Sequence, residues 1–146
     1  GVVLALLAAV VAAAPAPLPL VNVPVLRFSE SSPKSCARLH LQVVNVHNAK
    51  DFVVRGSLMD AKPHSVLKVR LASVATLGEK RQVTRWNVHR AAIALREVEM
   101  ELIGGTEGGS EFGVLGMKTR KDDNVIAESV SISTPGKADV VCPVVN

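Results

Sequence analysis

Four histidines, two cysteines and a string of alternating glutamates are the residues here with the chemistry to act on a substrate. Their spacing limits what they can do together. His40 and His47 fall on opposite faces of an extended strand, because an odd offset reverses the side-chain direction. His64 and His89 stand apart from them, so no metal-ligand set is expected. Glu97, Glu99 and Glu101 carry the carboxylates that acid–base chemistry needs. In a helix, however, Glu97 and Glu101 share one solvent-facing stripe, the usual position of such charges. Lys34 and Arg38 flank Cys36, a setting that favours a thiolate, but no histidine is placed to act as its base. The sequence has no G-x-S-x-G, H-E-x-x-H or Walker A pattern. The glycines of 104–116 lack the phosphate-binding order and follow a helix-like segment, where such a loop follows a strand. The expectation is a protein without catalytic residues, metal or cofactor.

Composition narrows the class further. The chain has 146 residues, 48% hydrophobic and 21% charged, which suits one globular domain or one domain with a short extension. It has no Tyr, one Trp and three Phe, so its core must be aliphatic. Modules that stack bases on aromatic rings are poorly served by that count. The net charge is +4 and its basic residues are scattered, with no run of five. No nucleic-acid partner is expected from such a distribution.

Val2–Ala14 is an uncharged apolar run followed by Pro15, Pro17 and Pro19. It has the length of a signal-peptide core and falls short of the ~20 residues of a membrane helix. Residues 1–19 are therefore read as a signal-peptide-like segment and the product as secreted, with no stable membrane span after signal removal. The alternative is a membrane anchor. Export also bears on Cys36 and Cys142. In an oxidising compartment they are expected to form a disulfide closing a long loop, the alternative being two buried free thiols.

Behind that segment the elements are legible by period. Val43, Val44 and Val46 within Leu39–Val46 mark a half-buried strand, and Phe52–Met59 and Val66–Ala75 resume strand character. Residues 48–51 and 62–65 break them. Over Gln82–Ile103 the period changes: Ala91, Leu95, Val98 and Leu102 recur at helical spacing, although 90–103 also reads as a long strand. Phe112–Lys118 and Val125–Ser133 form an expected hairpin turned by 121–124. Thr134, Pro135 and Gly136 then lead into a last strand, 138–145. The fold class expected is α+β: an antiparallel sheet with one or two helices packed on it.

The stretch from Leu26, Arg27, Phe28 and Ser29 to Gly56, Ser57 and Leu58 resembles a cystatin, the plant type in particular. Arg27–Phe28 stands where that family has its L-A-R-F-A-V signature. Leu41, Val44, Val46, Ala49 and Lys50 fit its following strand. Phe52, Val53, Val54, Arg55 and Gly56 stand at its Q-x-V-x-G hairpin, with Phe52 in place of Gln. Trp86 lies near its second hairpin, preceded by Arg85 and not Pro. The resemblance implies a cystatin-like domain over 20–103, with 104–146 a β-rich extension or the second half of the same domain. It implies an inhibitor whose partner is a papain-like cysteine protease, contacted through Phe52, Val53, Val54, Arg55, Gly56 and Trp86. On physical grounds an apolar Val53–Val54 tip with Gly56 able to turn at positive φ would make a rigid wedge. The alternative function is a secreted non-enzymatic binding module for a lipid or a protein, of α+β or β-sandwich type.

Overall fold

A computed structural model describes residues 23–72, 76–82, 88–102 and 111–145, with only the backbone of 76–82. The alternation of the strands organises all of them. In β2 (Leu39–Asn45) and β3 (Asp51–Leu58), Leu39, Leu41, Val43, Phe52, Val54 and Leu58 point to one side and are buried. In β4 (Val66–Leu71) and β7 (Glu97–Leu102) the same period buries Leu67, Val69, Leu71, Val98, Met100 and Leu102. Between them lie β5 (Thr76–Gln82) and β6 (Val88–Ala94); β8 (Glu111–Lys118), β9 (Ala127–Ser133) and β10 (Val140–Val145) complete the set, with β1 only Arg27–Phe28.

The strands form two antiparallel sheets, one ordered β1-β10-β9-β4-β7-β6 and the other β2-β3-β8-β5. Their inner faces share one aliphatic core. Two such faces packed together make a sandwich, and the α+β expectation is corrected accordingly. Helical structure among the described residues is a five-residue 3-10 turn, Lys34–Arg38.

Over the described residues 88–102 of the helix expected at 82–103, the chain instead forms the β6–β7 hairpin. Arg96 takes φ 61 at its turn. Beyond it Val98, Met100 and Leu102 face the core while Glu97, Glu99 and Glu101 face outward. Period two over that run outranks the Ala, Leu and Glu helix preference, because each buried apolar side chain contributes about 1.5–3 kcal/mol against tenths for propensity. The expected hairpin of β8 and β9 is also absent. Strand β8 pairs with β3 and β9 with β4, so residues 119–126 cross between the sheets.

Glycine at position 56 answers a close approach and not a turn. A Cβ there would lie 1.9 Å from the His40 carbonyl oxygen on the neighbouring strand. The disulfide expected from the sequence is present. Cys36 and Cys142 are bonded across 106 positions, with Cα atoms 5.9 Å apart. Through it the 3-10 turn is fastened to β10, where β1 covers only the end of that strand by pairing with Val144 and Val145. An otherwise open sheet edge is thus closed.

Candidate functional site

The segment expected to touch a protease lies inside the smaller sheet. Phe52, Val53 and Val54 are 0–2% exposed, and β3 is hydrogen-bonded on both sides, to β2 and to β8. Val53 belongs to an outer cluster with Val44 and Leu115, against which Val23 packs. Arg55 donates from Nε to Gln42 Oε1 at 2.7 Å, and the Gln42 amide donates to the Val23 carbonyl. The turn nearest these residues is 46–50, beyond the strand. No apolar tip is left at 52–56 to enter an enzyme cleft, and the sheet-wrapped helix of a cystatin is lacking among the described residues. The cystatin resemblance, the protease-inhibitor function and the papain-like partner are therefore corrected. Trp86 lies outside the described residues.

His64, His89, Glu99 and Glu101 are drawn into a surface ladder on the outer face of the larger sheet, whereas His40 lies on β2 of the smaller sheet and His47 in the turn after it. His64 Nδ1 lies 3.3 Å from Glu101 Oε2, and Arg90 reaches Glu101 at 3.4 Å and Glu99 at 3.8 Å. Lys68 and Arg70 point the same way from β4, pairing with Glu99 and with Glu128 of β9. Exposed pairs of this kind are worth at most about 1 kcal/mol each. They are cross-strand partners holding a solvated face.

A cleft opens at one end of the sandwich, where the two sheets part. Five chain segments meet there: the 3-10 turn, the end of β3 with the turn after it, the start of β4, the end of β9 with its following turn, and the start of β10. Its apolar lining comes from Leu58, Met59, Ala61, Ile132, Ala138 and Val140, beside the polar Ser35, Ser65 and Thr134. Its volume is about 280 Å³. Ser35 and Arg38 reach it from the turn that the disulfide fixes. Arg38 also accepts, through its carbonyl, the Met59 N–H at 3.0 Å. The Asp60 backbone at φ 55 turns the chain beyond β3. Ser65, 1% exposed, donates its hydroxyl to the Lys62 carbonyl at 2.7 Å, which ties down that side of the wall. Lys137 N–H bonds the Thr134 carbonyl at 3.0 Å, and Gly136 at φ 80 makes that turn possible.

The charges at the mouth do not balance. Arg38, Lys62 and Lys137 line the cleft with one carboxylate, Asp60. Among the described residues none of the three cations is ion-paired. The arrangement combines apolar lining with an excess of exposed positive charge. A second hollow, about 630 Å³, runs past Asn45 and Lys118. Two of its polar side chains are engaged by the fold: Lys118 Nζ donates to the Lys121 carbonyl at 3.2 Å, and the Asn45 side chain both donates to and accepts from Val125.

None of the cleft residues stood out as functional in the sequence. The usable signal was indirect. Lys62 opens one turn and Lys137 closes another, and a Cys36–Cys142 bond brings Arg38 to the same end.

No protein-family model matches this chain, and no curated protein matches it. Two solved structures are similar to it. One is the crystal structure of the chitin-binding domain of a chitinase from Pyrococcus furiosus, with 21% identity and a TM-score of 0.41, covering 80% of this chain and 99% of that one. The other is a solution structure of the chitin-binding domain of the chitinase from the same organism, with 18% identity and a TM-score of 0.40, covering 87% of this chain and 99% of that one.

Proposed function

We propose that this chain is a secreted, non-catalytic binding module of β-sandwich type that holds a lipid-like ligand in the cleft between its sheets. The observation carrying the reading is the cleft itself, whose lining combines six apolar side chains with a few polar and charged ones, the kind of mixture a small-molecule site uses. Several of the groups able to do chemistry are already engaged in the fold. The cysteines are bonded to each other, Ser65 is bonded to the Lys62 carbonyl, and Glu101 is shared by Arg90 and two histidines. A disulfide spanning nearly the whole domain supports export to an oxidising compartment.

The test is retention without turnover. The protein is equilibrated with a mixture of fatty acids, monoacyl lipids and soluble chitin oligosaccharides, chitin being the ligand named for the two similar structures. Bound compounds are then identified by mass. The expected result is an apolar compound retained at unchanged mass and lost when Ala61→Trp fills the cleft, in a variant that keeps its β-sheet circular dichroism. Chemical conversion of the ligand contradicts the reading. So does retention that Ala61→Trp leaves intact. Sugar rings are held largely by aromatic faces, and here Phe52 and Phe112 are buried and Phe28 is half-buried. The described surface therefore has no aromatic platform for them.

A further inference from the structure

From the charge and size of the cleft we infer its ligand class: a short single-chain amphiphile with an anionic head. The inference rests on the binding-module reading and goes beyond it by fixing the head group and the chain length.

The head follows from the charge. Three cations from three separate segments, Arg38, Lys62 and Lys137, face one carboxylate, Asp60, and no ion pair neutralises them among the described residues. The segments are held together by the Cys36–Cys142 bond and by the Met59–Arg38 backbone bond of 3.0 Å. The backbones that carry Arg38 and Lys62 are thus held near one another before any ligand arrives, and Lys137 lines the same cleft. An anion seated there relieves the repulsion of the three cations and gains charge-assisted hydrogen bonds, with Arg38 offering a guanidinium fork that suits a carboxylate.

The tail follows from the apolar part of the lining. Leu58, Met59, Ala61, Ile132, Ala138 and Val140 offer no polar side chain to an ion, so an ion alone would leave that surface wet. A volume of about 280 Å³ lies at the bottom of the range of about 300–1,000 Å³ typical of ligand pockets, which suits one short chain and not the two chains of a phospholipid. The occupant is therefore a free amphiphile.

Matched ligands separate these terms. Decanoate, decanol and decyltrimethylammonium share a tail and differ in head charge; acetate keeps the anion and drops the tail. Binding to the intact chain is measured by calorimetry, below the micelle concentration of each. Decanoate is expected to bind at least tenfold more tightly than decanol, with decyltrimethylammonium weakest and acetate unable to compete. The triple variant Arg38→Gln, Lys62→Gln, Lys137→Gln should lose at least tenfold in decanoate affinity while decanol changes less than twofold. These positions are exposed, so the variant is expected to keep the wild-type melting profile. Raising the salt should weaken decanoate alone. Equal affinity for decanoate and decanol overturns the anionic head and leaves the module standing. Failure of all three ten-carbon ligands to occupy the cleft overturns both. Retention on phosphatidylglycerol vesicles that decanoate does not compete overturns the free amphiphile in favour of a membrane headgroup.

Discussion

At the scale of single residues, space and charge decide more than residue type. Gly56 and Gly136 make the contrast. A Cβ at Gly56 meets the His40 carbonyl oxygen at 1.9 Å, whereas at Gly136 it meets nothing within 4 Å and the constraint is φ 80 alone. Gly56→Ala is accordingly expected to cost more than about 2 kcal/mol, since the β2 backbone must move. Gly136→Ala should cost about 1 kcal/mol. Urea denaturation of the two variants measures the difference, and equal losses would refute the close approach of β2 and β3. The sequence does announce a special glycine at 56. It does not say why, because a turn requiring positive φ and a strand requiring a missing Cβ look alike in one dimension. The cysteines were easier, since an even count in an exported chain leaves few partners.

At the scale of elements, the strands from 39 to 71 and the last strand are legible because they are short apolar runs rich in β-branched residues and bounded by turn residues. The run 88–102 is the instructive failure. Alanines and glutamates give it helical composition, and Ala91, Leu95, Val98 and Leu102 fall at helical spacing by coincidence with a hairpin turn at 94–96. Only a partner strand on each side of β7 makes the two-residue period decisive. The register therefore makes a clear prediction. Met100→Ala should destabilise the protein by about 2–5 kcal/mol through a core cavity. Glu99→Ala, one step along, should change stability by less than about 1 kcal/mol. Comparable losses at both positions in thermal melts would contradict strand β7. The pairing of β8 with β3, and not with β9, was not legible at all. Strand β9 alternates while β8 is buried over five consecutive residues, but neither pattern names a partner, and sheet membership is set by contacts far away in sequence.

The disulfide also acts on elements. It ties a 3-10 turn, an element with little packing of its own, to β10 and so to the wall of the cleft. In the chain-entropy account, closing a loop of this length contributes about 4–5 kcal/mol. Replacing both Cys36 and Cys142 with Ser should lower stability by several kcal/mol. Amide exchange of residues 34–38 should accelerate more than that of β7. Uniform acceleration across the protein would mean that the bond stabilises only the whole domain and not the cleft.

At the scale of the molecule, a closed two-layer sandwich leaves its ends and outer faces for function. One outer face carries the ion-pair ladder, and the other carries the Val44–Val53–Leu115 cluster. The end beside the disulfide combines a cavity, an apolar lining and unbalanced charge. The sequence contains all the residues of that site, but scattered from 35 to 140, and neither charge runs nor motifs join them. What joins them is topology: the ends of β3 and β9 and the starts of β2, β4 and β10 converge at one pole. A binding site assembled from strand ends cannot be read from local pattern, which is why a misleading local likeness at 27–56 stood out more.

The central claim is that this pole binds ligand, and amide chemical-shift mapping addresses it most directly. Titrating decanoate into isotope-labelled protein should shift the amides of 35–38, 59–65 and 134–140 in a saturable, coherent manner, with β7 and the outer face of β3 unmoved. Saturable shifts confined to the ion-pair ladder or to the Val44–Val53–Leu115 face, or none at the cleft, would contradict it.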